Sequence, residues 1–177
     1  MSVQTDRTLQ RLHCLLASEG GLIAGLLVED APSVEAKGPA QAAMAGPRID
    51  GRAPEYELLI EAIYEGYLLH YGRPRVVRPP EQDLALLAGD RLYALGLARL
   101  VALGDVIAVA ELADVIALGA LAHGAENPEL ADAVWAAGSR AVGWGPSVRH
   151  ERAKALARAG SPDALPLLLA LAADAKH

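Results

Sequence analysis

The sequence predicts an all-α protein, a helical bundle in one domain spanning residues 1–177. Three observations carry that expectation. Apolar residues recur at the three-to-four-residue spacing of helices, and two long apolar stretches, about 82–103 and 105–122, meet at Gly104-Asp105 as the arms of a buried central hairpin would. No period-two alternation flanked by turn residues suggests a strand. With 53% hydrophobic residues, the chain can bury a core of its own.

Taken in order, Thr5 or Asp6 can cap a first helix, in which Leu9, Leu12 and Leu16 share a face until Gly20 and Gly21 end it. Cys14, beside Leu15 and Leu16, reads as a small core residue. Gly21 to Val28 can form a second short helix. Pro32, Gly38, Pro39, Gly46, Pro47 and Gly51 then punctuate a segment, 29–52, too broken for long regular structure; it is expected to be flexible, with a helical turn near Ala40 to Ala45. Helix propensity resumes at Pro54, which suits a first helical position, and runs to about Tyr71, where Gly72 and Pro74 stop it. In the hairpin, Gly104 can close one helix and Asp105 cap the next. Asp90 and Arg91 interrupt an apolar context, so each is expected to be paired or at the rim. Asn127-Pro128, Gly145-Pro146 and Ser161-Pro162 open three short C-terminal helices. Pro166 would clash with a carbonyl four residues back, so the last helix is expected to be kinked or to start late.

Several function classes are disfavoured by composition. The net charge of −6, without a run of Lys or Arg, argues against a nucleic-acid or anionic-membrane surface. The longest clean apolar stretch, Ala164 to Ala173, falls short of the ~20 residues that cross a bilayer, so no transmembrane segment is expected. A single cysteine permits no internal disulfide, and Met1 to Gln10 lacks the pattern of a secretory signal, so a cytoplasmic location is expected.

Catalytic constellations are not evident. His13, His70, His123, His150 and His177 stand in no arrangement that places two ligands on one helical face, so no metal site is expected. Glu57, Glu61 and Glu65 line one face, which could bind a cation but reads as a solvated stripe. No Gly-rich loop carries the Lys of a phosphate site, and no serine sits in a Gly-x-Ser-x-Gly elbow. No catalytic residue and no cofactor are assigned. Tyr64, Tyr67 and Tyr71 read as core and rim packing, with a small apolar ligand as the alternative.

The segment Leu84-Ala-Leu-Leu-Ala-Gly-Asp-Arg-Leu-Tyr-Ala-Leu-Gly-Leu, followed by Leu103-Gly-Asp-Val-Ile-Ala-Val-Ala-Glu-Leu-Ala-Asp, resembles the trans-polyprenyl diphosphate synthase family. Leu87, Ala88, Gly89 and Asp90 match its Leu-x-Ala-Gly-Asp-Tyr helix, with Arg91 in place of the aromatic. Leu68-Leu69-His70 and Gly72-Arg73-Pro74 are similar to its Leu-Ile-His and Gly-Lys-Pro elements. Where that family follows the His with an Asp-Asp-x-x-Asp box that holds magnesium, this chain has Tyr71 and Gly72. The resemblance, over about residues 54–122, therefore implies a non-catalytic small subunit of a heteromeric, heptaprenyl-type synthase, paired with a catalytic subunit. Residues 153–168, Ala-Lys-Ala-Leu-Ala-Arg-Ala-Gly-Ser-Pro-Asp-Ala-Leu-Pro-Leu-Leu, resemble a HEAT-like helix-turn-helix, which keeps a helical interaction module or a homo-oligomer open as alternatives. Asp90, Arg91, Tyr93, Leu95 and Arg99, on the first hairpin helix, are the candidate interface or structural residues.

Overall fold

The computed structural model describes residues 2–30 and 38–174. Among them are eight α-helices: α1 (Ser2–Glu19), α2 (Gly21–Gly25), α3 (Ala53–Tyr71), α4 (Gln82–Ala102), α5 (Val106–Gly124), α6 (Pro128–Trp144), α7 (Val148–Arg158) and α8 (Ala164–Ala173). Two short 3-10 turns, Pro39–Ala42 and Pro47–Ile49, precede α3. The protein is an all-α helical bundle. Its one strand-like feature among the described residues is an antiparallel bridge between Leu27 and Val77, in which the Val28 N–H donates to the Val76 carbonyl and the Arg78 N–H to the Leu26 carbonyl.

Three helix starts follow their capping residues, whereas α1 begins at Ser2 and carries the expected caps Thr5 and Asp6 inside it. Asp105, Asn127 and Ser147 accept hydrogen bonds from the N–H groups of Ala108, Leu130 and His150, satisfying donors that a helix start leaves unpaired. Gly104, at φ +75°, turns the chain between α4 and α5. α8 starts late, at Ala164, so the carbonyl that Pro166 would strike, that of Pro162, lies outside the helix.

Two apolar clusters meet at α3. One joins Tyr56, Leu59, Ile60, Ile63 and Tyr67 to α5, α6, α7 and α8; the other joins Ala62 and Leu69 to α1, α2, α4 and the 72–80 strap through Leu12, Leu16, Val76, Leu92 and Leu95. α3 and α6 are the most completely surrounded helices, whereas α4 and α5 each bury one side. α5 is long and apolar enough, by length and composition, to cross a membrane, the one such helix among the described residues. Here it packs on α6 and carries Glu111 and Asp114 in ion pairs with α7.

Three expectations are corrected. The α4–α5 hairpin is not the buried centre of the fold, because each of its helices packs mainly on one neighbour and leaves apolar residues such as Val101 and Val106 exposed, while α3 and α6 are more enclosed. Cys14 is exposed: Leu12 and Leu16 take the inward positions of α1, and a residue two places beyond Leu12 falls near the opposite side of the helix. Glu57, Glu61 and Glu65 are buried, for reasons given below. Of the segment 29–52, residues 31–37 lie outside the described residues, while 38–52 is packed, with Ala40, Ala43 and Ile49 almost wholly enclosed.

That packing depends on small residues. A Cβ at Gly46 would strike the backbone of Gly143, and one at Gly143 would strike the Ala43 carbonyl, so the two backbones touch with nothing flexible between them. Gly143→Ala is expected to destabilise the fold by about 3 kcal/mol, read as a lower midpoint in urea at unchanged slope. A midpoint equal to that of the native chain would show that the 3-10 turns do not need this approach.

Candidate functional site

The five candidate residues on α4 fall on different sides of the helix. Leu95 is buried against α1 and α2 and lines a cleft of about 270 Å³ with Glu19, Gly20, Gly21, Leu22, Ile23, Leu87 and Arg91. Arg91 and Arg99 sit at the rim and reach the same Glu19 carboxylate, at 3.6 and 2.6 Å. Tyr93 is half-buried and stacks on the His70 ring, centroids 5.3 Å apart and 3° from parallel. Asp90 is at the rim, with one oxygen 3.2 Å from His70 Nε2; the nitrogen is enclosed, yet the contact lacks hydrogen-bond alignment. Structure thus joins Arg91, Leu95 and Arg99 to the α1–α2 turn, and Asp90 and Tyr93 to the end of α3. The resemblance motif itself packs: Ala88 and Gly89 are buried, and a Cβ at Gly89 would collide with the His70 ring.

Around the end of α3 the aromatic residues form a continuous stack. Tyr64 lies 5.5 Å from Tyr67 and meets Trp135 edge-on at 5.0 Å, while Tyr71 stacks on His123 at 4.2 Å, 4° from parallel. Burial pushes the Tyr67 phenol up to about 12, and its hydroxyl is hydrogen-bonded to His123 Nε2 at 2.7 Å. Among the described residues the Trp135 indole N–H has no conventional acceptor; its ring is tilted against both tyrosines, an arrangement in which an N–H can point at a π face. The three tyrosines therefore pack, as the sequence reading preferred.

Two buried charge clusters were not legible as such in the sequence. In the first, Glu65 Oε1 accepts the backbone N–H groups of Arg75, Val76 and Val77, at 2.6, 2.7 and 3.2 Å, and Oε2 accepts Arg75 Nε at 3.0 Å. Arg75 also donates to Glu61 Oε2 at 2.6 Å, and Glu61 Oε1 accepts the Ala40 N–H at 3.1 Å. Glu57 accepts from Gln41 Nε2. The stripe is therefore internal because donors from both flanking loops converge on it. Burial pushes the Glu61 carboxyl above its usual range, although Arg75 pulls the other way.

In the second cluster, Lys154 of α7 reaches Glu111 and Asp114 of α5 and Glu151 of its own helix, at 2.8, 2.9 and 2.8 Å. His150 contacts the other Glu111 oxygen at 2.7 Å, and Arg158 also pairs with Asp114. Burial would raise the Glu111 carboxyl, but hydrogen bonds from His150 and Lys154 outweigh it and hold the group below its usual range. At the start of α5, Asp105 accepts from Arg48 and Tyr56, both at 2.8 Å, tying the second 3-10 turn and α3 to this helix end.

These clusters are closed: their donors and acceptors serve one another, and their chemistry is that of cross-linking helices. Among the described residues, no three His, Cys, Asp or Glu side chains are grouped to hold a metal ion. No protein-family model matches the chain, and no curated protein or solved structure shows significant similarity to it.

Arg75→Met is expected to cost about 3–5 kcal/mol near pH 8, since it leaves buried carboxylates without their cation. Loss of Arg75 moves the Glu61 carboxyl still higher, so the folded variant takes up a proton before the unfolded chain does. The deficit should therefore shrink as pH falls toward 4.5, the ordinary value for Glu. Urea titrations across that range check the sign; a deficit independent of pH would mean that Glu61 is not the group left stranded.

Proposed function

We propose that this chain is a non-catalytic accessory subunit that docks a partner protein through the outward face of the α4–α5 hairpin. The observation that supports the reading is the outer face of α5. Val106, Ala110, Ala113, Ala117, Ala120 and Leu121 are exposed at helical spacing, Val106 with 76% and Leu121 with 53% of its surface free, and no charged side chain interrupts them. The nearest acid, Asp114, is turned to Lys154 and Arg158. On α4, Leu87, Ala94, Ala98 and Val101 are likewise exposed, beside Asp90 and Arg91. A continuous apolar stripe edged by a few charges is the usual composition of a protein interface, because covering it releases ordered water at little polar cost.

The resemblance of residues 54–122 to polyprenyl diphosphate synthases supplies the partner class, a catalytic prenyl synthase subunit whose product length this chain would influence. The same reading places the protein in a reducing cytoplasm, where the exposed Cys14 stays a thiol. Asp90 and Arg91 then belong to the rim of the interface, while Leu95 supports it from behind.

The test is co-expression with a catalytic polyprenyl synthase subunit of the same host, followed by intact-complex mass and product-length measurement with and without this chain. A stoichiometric complex with altered product length is the expected result. Ala117→Glu should leave stability within about 0.5 kcal/mol of the native chain, because the site is exposed, yet weaken the complex at least about tenfold. A symmetric homo-oligomer that ignores the catalytic subunit would overturn the prenyl-synthase reading and leave a self-associating helical module.

A further inference from the structure

The second helical pair at the C-terminus carries a surface that the α5 reading does not use. α7 has two working faces. One presents Lys154 and Arg158 to α5; the other presents Arg149, Arg152 and Leu156, spaced three and four residues apart, toward α8. Between the helices lies a cleft of about 580 Å³ lined by Arg149, Arg152, Leu156, Asp163, Pro166 and Leu167. α8 carries no charge from Ala164 to Ala173, yet of its ten residues just Ala164 and Leu168 are buried. Pro166 brings a ring and no N–H to the wall, so that side offers apolar contact without a backbone donor.

The rim is polar in a specific way. Arg152 makes no ion pair among the described residues, and the one pair of Arg149 there, with Asp174, is long at 3.9 Å. Both guanidiniums therefore keep most of their capacity for a carboxylate. Asp163, at the α8 side, is the one acid in the lining and fixes the polarity across the groove. A partner must place its negative edge along α7 and its apolar side chains on Leu156, Pro166 and Leu167.

We infer that the α7–α8 groove is a docking site for an amphipathic segment of another protein, which seats large apolar side chains in the cleft and sets carboxylates against Arg149 and Arg152. Apolar anchors provide the affinity, and the arginine rim selects acidic over basic partners. The site is independent of the α4–α5 face, so either reading can fail alone.

The test uses the full chain and a short fluorescein-labelled, helix-forming peptide whose leucine seam is bordered by glutamates, read by fluorescence anisotropy. Saturable binding is expected, weakened at least about tenfold by Arg149→Glu with Arg152→Glu. A peptide with lysines in place of the glutamates should bind the native chain poorly and the doubly substituted chain well. Circular dichroism melts of both proteins establish that the variant folds. Absence of saturable binding, or equal binding of the glutamate and lysine peptides, would overturn the inference. So would dimerisation of the native chain that the double substitution abolishes, since a second copy would then occupy the groove.

Discussion

The structure depends first on the fit of Arg75 between Glu61 and Glu65. α3 is enclosed on nearly every side, and two apolar clusters share it, so its three-glutamate stripe has no route to water. A bare buried carboxylate would ionise poorly and cost several kcal/mol. The 72–80 strap removes that cost by folding back so that three successive N–H groups close on one Glu65 oxygen, while the Arg75 side chain spans both carboxylates and lies over the Tyr64 ring. The strap, in turn, brings Val76 and Val77 into the second cluster and pairs Val77 with Leu27. One ionic contact thereby sets the path of the chain between α3 and α4.

The same economy recurs elsewhere. Asp105 caps α5 and at once binds Arg48 and Tyr56, so helix termination and loop docking share a side chain. Glu111 and Asp114 occupy an otherwise apolar helix and hold α7 through Lys154 and Arg158. Few of these pairs would add much stability at an exposed site, where water competes for both ions; within the bundle they chiefly specify which helix lies against which. Close backbone contacts, such as Gly46 on Gly143, complete the specification by admitting a single packing distance.

What remains after the charges are paired internally is an outer surface unusually poor in them along α5 and α8. Helices of alanine and leucine are buried on one side by their neighbours, and their outward sides have nothing polar to show. In the hairpin this produces an apolar face of alanines interspersed with Leu87, Val101, Val106 and Leu121; in the α7–α8 pair it produces a cleft with arginines at one lip. These surfaces differ in shape and charge, one a broad apolar face and the other a narrower cleft.

The helices, their order and most of their ends were legible in the sequence, because caps, prolines and glycines act locally and 3.6-residue periodicity survives in one dimension. The hairpin at Gly104-Asp105, the late start of α8 and the inward face of α1 are of that kind. Residue Cys14 and the glutamate stripe were misread because exposure depends on what lies opposite. Glu57, Glu61 and Glu65 look solvated on a helical wheel until Ala40, Gln41 and Arg75 arrive from loops on either side. For the same reason, apolar residues all round α4 and α5 did not by themselves make those helices the most enclosed; the helix with three acids was. Sequence alone determined which segments are helical, whereas tertiary structure decided which faces meet water, since desolvation of a charge is settled by donors brought together from distant parts of the chain.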